Sequence, residues 1–384
     1  MTNPPSPASP AAGASNPRSA HAARLAKVRK AMDEAGLDAL LLSLGADLPW
    51  LTGYEAMPLE RLTMLVVPAK DHAILVVPRL EAPRVVADPD SFAIRPWREE
   101  EDPIDIVASL VGSGNGHLAI SDRTWATFLL ALQRALPEAT WQRSSSVTGP
   151  LRAVKDEAEI EALAEASAAA DRVAAQLLEG EIPLVGRTER EVSEDIGRRL
   201  IAEGHQRVNF AIVGSGPNSA SPHHNAGPRT IRAGEAVVCD FGGTMNGYCS
   251  DITRTVWTGS AEPPKEFTKL YAVLQEAQAA GVAAASVGTT CEGVDAAARD
   301  IIAAAGYGEA FIHRTGHGIG LEEHEDPYIV AGNQLPVVPG NAFSVEPGIY
   351  LDRRFGARIE DIVVATAGGP RSLNSVSHDL AVVD

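Results

Sequence analysis

The sequence predicts two domains of different class: an α/β domain with a mixed sheet up to about residue 150, then an α+β domain in which helix, helix and β-hairpin occur twice in the same order. Three observations carry this expectation. The chain is 384 residues long, enough for two cores, and 45% apolar content is that of a globular protein. Short apolar runs alternate with helical periodicity through about residue 145. Beyond that point each of two strand-turn-strand patterns follows a long helical stretch and a capping-box signature.

Residues 1–18 are rich in Pro, Ala, Ser and Asn with almost no large apolar side chains, so a disordered tail is expected. In the first domain, residues 19–150, Leu25, Val28 and Met32 follow helical spacing, with Gly36 as the stop. Strands are expected at 39–44, 62–67 and 73–77, and a helix at 104–111. No catalytic constellation falls there. The second domain, residues 151–384, begins near Arg152-Ala153-Val154-Lys155. Ile160, Leu163, Ala166, Ala170, Val173 and Leu177 mark one face of a helix over 156–178. Thr188-x-x-Glu191 opens the next, and a hairpin over 234–256 closes the first unit. The second unit repeats the order: a helix over 264–285, Thr289-x-x-Glu292 capping another through Ala305, and a hairpin over 342–365. A pseudo-twofold domain with strands lining one concave site follows.

The net charge of −17 argues against nucleic acid or an anionic membrane surface as a partner, because phosphate binding needs clustered Lys and Arg. Three cysteines, Cys239, Cys249 and Cys291, form no even framework and no Cys-x-x-Cys, so they are read as buried packing in a reducing compartment. No apolar run reaches 18 residues and no basic-then-apolar leader opens the chain, which makes a cytoplasmic protein the expectation.

The hairpins carry the chemistry. With residues 244–247 as a four-residue loop, Asp240 would face Asp251 at a Cβ separation of roughly 4.5–5.5 Å. A short loop at 352–354 would likewise set Glu346 opposite Glu360. Between them, the glycines of Thr315-Gly316-His317-Gly318-Ile319-Gly320 let the backbone pass close to a neighbour and leave the imidazole accessible. Four carboxylates and one imidazole balance two divalent cations. That oxygen-rich set suits Mn²⁺, Co²⁺, Fe²⁺ or Zn²⁺, and two such ions about 3.5–4 Å apart can share a bridging hydroxide. The Gly214-Ser215-Gly216 run lacks the Lys-Ser/Thr of a phosphate loop and is read as turn. His324 is not part of a His-Glu-x-x-His helix, because residue 328 is Tyr and Pro327 intervenes.

These five residues, in the contexts Val-Cys-Asp-Phe-Gly, Cys-Ser-Asp-Ile-Thr-Arg-Thr, Gly-His-Gly-Ile-Gly, Val-Glu-Pro-Gly-Ile-Tyr and Arg-Ile-Glu-Asp, resemble the pita-bread metallopeptidases, and most closely their proline-specific branch of Xaa-Pro dipeptidases (prolidases) and Xaa-Pro aminopeptidases. The resemblance implies a creatinase-like N-terminal domain that shapes the cleft and dimerises, and a pita-bread catalytic domain. It implies that Asp240 chelates one metal and His317 binds the other, with Asp251 and Glu360 bridging and Glu346 completing the set, Mn²⁺ being the first choice. Glu346 would also carry the proton to the leaving nitrogen. His223, His324 and Arg358 would stabilise the oxyanion or dock the substrate, an Xaa-Pro dipeptide or a short peptide beginning Xaa-Pro. A strict dipeptidase needs a cation for the proline carboxylate. Residues 325–345 contain no Arg or Lys, which leaves His324 and Arg358 for that role. The rival from another class is a noncatalytic pita-bread module that binds peptides or proteins; retention of all five ligands speaks against it.

Overall fold

The structure is a computed structural model that describes residues 17–112 and 115–384. The expected tail lies outside them except for Pro17 and Arg18, which open the first helix. The chain divides into two compact units, Met1–Leu151 and Arg152–Asp384.

The first unit holds α1 (Pro17–Glu34), β1 (Ala39–Leu42), α2 (Asp47–Thr52), β2 (Met64–Pro68), β3 (Ala73–Pro78), β4 (Phe92–Trp97), α3 (Pro103–Val111), β5 (His117–Ile120), α4 (Ala126–Ala135) and β6 (Thr140–Arg143). The strands form one sheet in the order β4-β3-β2-β1-β5-β6, mixed as expected: β1 runs antiparallel to β2 and parallel to β5. Leu41, Met64, Val66 and Val76 alternate onto one face and are sealed by Val107 and Leu132 of α3 and α4. The helix expected at 104–111 starts one residue earlier, where the Asp102 side chain accepts from the Ile104 amide at 2.8 Å and Pro103 needs no partner.

Helix α5 (Ser145–Arg152) leads into the second unit. Helices α6 (Glu157–Leu178) and α7 (Glu189–Ala202) both begin with complete capping boxes, Asp156 with Glu159 and Thr188 with Glu191. Each cap contributes about 1 kcal/mol. They cover β7 (Arg207–Ser215), β8 (Ala236–Met245), β9 (Tyr248–Cys249) and β10 (Ile252–Thr258). In the second half, α8 (Lys265–Ala284) and α9 (Cys291–Ala304) cover β11 (Gly316–Gly318), β12 (Glu325–Ile329), β13 (Ala342–Val345), β14 (Gly348–Leu351), β15 (Phe355–Arg358), β16 (Asp361–Thr366) and β17 (Gly369–Ser372), and β18 (Val382–Val383) returns to β10. The α9 cap is Thr290, whose hydroxyl accepts from Gly293 N at 3.0 Å, not Thr289: Gly at N3 offers the amide while Glu292 turns to the Gly332 amide. The sheets run β18-β10-β8-β7 and β12-β11-β13-β16-β17, with β14-β15 as a separate pair.

The core lies between helices and strands in both halves. Leu177, Val192, Ile196 and Leu200 meet Val213, Val237, Cys239, Phe241, Ile252 and Val256, and Phe267, Leu270 and Leu274 meet Ile349, Ala357 and Ile359. Truncating any of the large side chains here would cost about 2–5 kcal/mol. Strand alternation sends the residues between these to the opposite face: Asp240 lies between Cys239 and Phe241, and Thr253 follows Ile252. All three cysteines are free and buried; burial pushes the thiols of Cys239 and Cys249 up to about 12, which leaves them as packing groups.

Candidate metal centre

The first hairpin turns more tightly than expected. Asn246 (φ 51°) and Gly247 (φ 85°) alone make the loop, because Asn-Gly accepts the two positive φ values that a two-residue hairpin demands. Thr253 therefore pairs with Asp240 and Ile252 with Phe241, correcting the expected Asp240–Asp251 pair. Asp251 sits in the unpaired step between β9 and β10, where the register points it at Gly242, on the Asp240 face but two residues further along. A Cβ on Gly242 would overlap the Ser250 carbonyl, so glycine is what allows the chain to carry Asp251 inward. The two carboxylates meet diagonally.

The second hairpin keeps the expected register. Val345 pairs with Asp361 and Gly348 with Arg358, which leaves Glu346 facing Glu360 across a break in the ladder. Glu360 also bridges to Thr253 of the first hairpin, whose hydroxyl donates to Glu360 Oε2 at 2.6 Å. Arg254, 1% exposed, donates to the Glu360 carbonyl at 2.7 Å and to Asp361 at 2.9 Å, fixing the same junction. His317 is 3% exposed, so its imidazole is not open to bulk water as expected. Its flanking glycines serve the neighbouring strands: a Cβ on Gly316 would overlap Ser344 O, and one on Gly318 would overlap Asp326 O.

Asp251, His317 and Glu360 offer ligand atoms that all lie within 4.8 Å of one another. His317 Nδ1 donates to the Gly318 carbonyl at 3.2 Å, so its proton is there and Nε2 is bare. Nε2 lies 3.3 Å from Glu346 Oε1 and 3.7 Å from Asp251 Oδ2. Burial, with His324 beside it, lowers the imidazole to about 3, so the ring is neutral. Asp240 Oδ1 and Asp251 Oδ1 are buried without a hydrogen-bond partner. Burial, reinforced by the neighbouring carboxylates, holds Asp251 and Glu360 well above the usual carboxylate range, and burial pushes Glu346 up to about 7. Buried carboxylate oxygens without a donor, beside a bare imidazole nitrogen, fit a divalent cation, and the one-nitrogen, oxygen-rich set fits a borderline or hard one.

The other expected residues surround this cluster. Arg358 donates to Asp240 at 2.5 Å, to the Thr253 hydroxyl at 3.0 Å and to Tyr350 Oη at 2.8 Å. Burial opposes its charge, but Tyr350, Asp240, Glu346 and Glu360 hold it protonated. His313 continues the chain. Its Nδ1 can only donate to the Arg314 carbonyl, at 2.7 Å, so the bare Nε2 accepts from Tyr350 Oη at 2.9 Å and Tyr350 accepts from Arg358. His324 packs its ring 3.9 Å from that of His317, beside Glu325, which is clamped by Lys155 at 2.6 Å and by Arg152. His223 follows a 3₁₀ turn, residues Gly216–Ala220, in a segment expected to be irregular loop; Gly214 and Ser215, read as turn, end β7 instead. Glu189, fully buried, pins that segment by accepting from Ser215, Asn218, His224 and Gly227.

A cavity of about 220 Å³ is lined by His223, Asp240, Asp251, His317, His324, Glu346, Arg358 and Glu360, all eight of the sequence-predicted residues. It is also lined by His313 and Arg314, which the sequence reading passed over, although they lie only four and three residues before His317. Tyr350, likewise missed, stands inside the Glu-Pro-Gly-Ile-Tyr motif.

Comparison with known proteins places these residues in context. Residues 160–367 match metallopeptidase family M24, and residues 24–154 match the Creatinase/Prolidase N-terminal domain. A probable dipeptidase PepE of Mycobacterium tuberculosis is 47% identical over 92% of this chain and 94% of its own. An Xaa-Pro dipeptidase of Lactobacillus helveticus is 34% identical over 93% of this chain and 98% of its own. Among solved structures, dipeptidase PepE of Mycobacterium ulcerans superposes with a TM-score of 0.89 at 46% identity, covering 95% of this chain and 98% of that one.

Proposed function

The chain belongs to metallopeptidase family M24, and from that premise we propose that it hydrolyses the peptide bond between an N-terminal residue and proline, using two divalent cations. The observation that supports this is the convergence of three buried carboxylates, the partly buried Glu346 and a bare imidazole nitrogen on one cavity. In this proposal Asp240, Asp251, His317, Glu346 and Glu360 hold the cations, Mn²⁺ first, with Co²⁺, Zn²⁺ or Fe²⁺ as alternatives. Bound there, the ions supply Lewis acidity toward the scissile carbonyl and an activated water. Glu346, on the cavity wall with Oε1 3.3 Å from His317 Nε2, carries the proton from the attacking water to the leaving nitrogen. Arg358, fixed by Thr253 and Tyr350, orients Asp240. His223 and His324, on the cavity wall, donate to the developing oxyanion or to the substrate's proline end.

Residues 151–384 form the catalytic domain in this proposal and 19–150 the creatinase-like domain. A cytoplasmic homodimer belongs to it as well, and three free, buried cysteines suit a reducing compartment. The restriction to proline draws on the relative named Xaa-Pro dipeptidase. The test is metal-stripped protein reloaded with Mn²⁺, Co²⁺ or Zn²⁺ and supplied with Ala-Pro and Ala-Pro-Ala, with Asp251→Ala as control. Release of alanine by the reloaded wild type alone is expected. If no metal restores cleavage of either peptide, the proposal fails and a noncatalytic peptide-binding module takes its place.

A further inference from the structure

A peptidase that accepts only dipeptides must recognise a carboxylate next to the scissile bond, and the sequence left Arg358 and His324 for that task. Neither fits it. The Arg358 side chain is 3% exposed and its donors go to Asp240, Thr253, Tyr350 and the Pro222 carbonyl. His324 packs its ring 3.9 Å from that of His317, so it stands against the candidate metal ligands themselves.

Arg314 lines the same cavity and has no ion pair or side-chain hydrogen bond among the described residues. Its guanidinium lies over the Tyr328 ring, 4.5 Å from the centroid, a contact that orients the plane without using any of its N–H donors. The backbone that carries it is fixed on both sides. Arg299 of α9 donates to the His313 carbonyl at 2.8 Å, and Asp295 accepts from the Thr315 amide at 3.1 Å and hydroxyl at 2.7 Å. Arg299 and Asp295 are themselves joined by two bonds of 2.8 Å. A rigid mount thus presents a half-buried guanidinium with free donors. Three residues span at most about 11 Å, so Arg314 stands within the length of a short peptide from His317. A planar fork of N–H groups matches a carboxylate in two parallel hydrogen bonds.

We propose that Arg314, held on Tyr328, binds the C-terminal carboxylate of the substrate and makes the enzyme a dipeptidase. This rests on the peptidase reading above. The residue after proline would have to displace that contact, so longer peptides and amidated dipeptides lose it.

The test compares Ala-Pro, Ala-Pro amide and Ala-Pro-Ala as substrates of the metal-loaded wild type and of Arg314→Gln and Arg314→Lys. The wild type is expected to prefer the free dipeptide by about 10- to 100-fold in kcat/KM, the range that a charge-assisted bond supplies. Arg314→Gln should lower kcat/KM for Ala-Pro by that factor more than for the amide, chiefly through KM, and Arg314→Lys should recover part of the preference. Equal losses on both substrates, or a wild type indifferent to the amide, would overturn it. Binding of free proline against prolinamide, followed by calorimetry on metal-free protein, gives a readout that does not need hydrolysis. If no peptide is cut, the peptidase reading falls separately, and proline binding that is unchanged in Arg314→Gln overturns the role of Arg314 by itself. A circular-dichroism melt checks that each variant is folded.

Discussion

Replacing Glu189 probes how the loop of His223 is built. Its carboxylate is fully buried at the start of α7. One oxygen accepts from Ser215 N at 2.9 Å, Ser215 Oγ at 2.7 Å and Asn218 Nδ2 at 2.9 Å; the other accepts from His224 Nε2 at 2.7 Å and Gly227 N at 3.3 Å. In Glu189→Gln the new NH₂ must face one of these sets. The Ser215 amide cannot reverse its polarity, so the NH₂ turns to His224, which can accept if its proton moves to Nδ1. The variant then loses the Gly227 bond and the charge assistance of the rest, about 2 kcal/mol in all. Glu189→Ala leaves the buried Ser215 donors and the partly buried Asn218 and Gly227 donors without this partner and should cost about 3–5 kcal/mol. Urea unfolding followed by tryptophan fluorescence gives these differences from the midpoints. Burial alone would raise the Glu189 pKa, but the bonds from His224, Ser215 and Asn218 outweigh it and the carboxyl lies below its ordinary 4.5. A depressed carboxyl stabilises above the unfolded value and loses that contribution as pH falls through the folded one. Wild type and Glu189→Gln should therefore converge below about pH 4.5. A Gln variant within about 0.5 kcal/mol of wild type at pH 7, or one that does not converge in acid, would refute this account of the loop.

Other outcomes follow from the same contacts. Arg358→Lys should lower kcat/KM for Ala-Pro by about 100-fold or more, because a single ammonium cannot serve Asp240, Thr253 and Tyr350 together; steady-state kinetics checks it. His205, 2% exposed, donates from Nδ1 to the Leu200 carbonyl at 3.1 Å and accepts from Ser250 Oγ at 2.8 Å, and burial lowers its pKa below 6.5. The unfolded chain takes up the proton that the folded one resists, so stability is lost as pH falls from 6.5 through the folded value, at up to about 1.4 kcal/mol per pH unit. The difference in unfolding midpoint between wild type and His205→Gln, measured from pH 7 to 5, should shrink with acid, which removes the contributions of all other groups.

Much of the site was legible because its signals are local. The capping box at Thr188 needs only four residues, and the short loop after Leu351 set Glu346 opposite Glu360 as the spacing implied. The first hairpin was misjudged because a loop of two or of four residues conserves strand polarity yet shifts the partner of Asp240 by two; Asn246-Gly247 at positive φ decided for two. The cap expected at Thr289 moved to Thr290 because the Glu292 amide donates to the distant Asn333 carbonyl, which leaves the Gly293 amide for the Thr290 hydroxyl. His313, Arg314 and Tyr350 were missed because their roles arise from long-range contacts: Arg314 gains its meaning from Tyr328, and His313 from Tyr350 and Arg358. The glycines around His317 were legible as close approaches, but the sequence could not say that the approaching groups are strands β12 and β13.

The central claim is that Asp240, Asp251, His317, Glu346 and Glu360 hold two cations together. Equilibrium dialysis of metal-stripped protein against Mn²⁺, with alanine release from Ala-Pro measured on the same samples, tests it most directly. Two bound ions per chain at the activity plateau, with Asp251→Ala holding fewer and releasing no alanine, is the predicted result. Full activity at one ion per chain, or activity that survives removal of all metal, would contradict it.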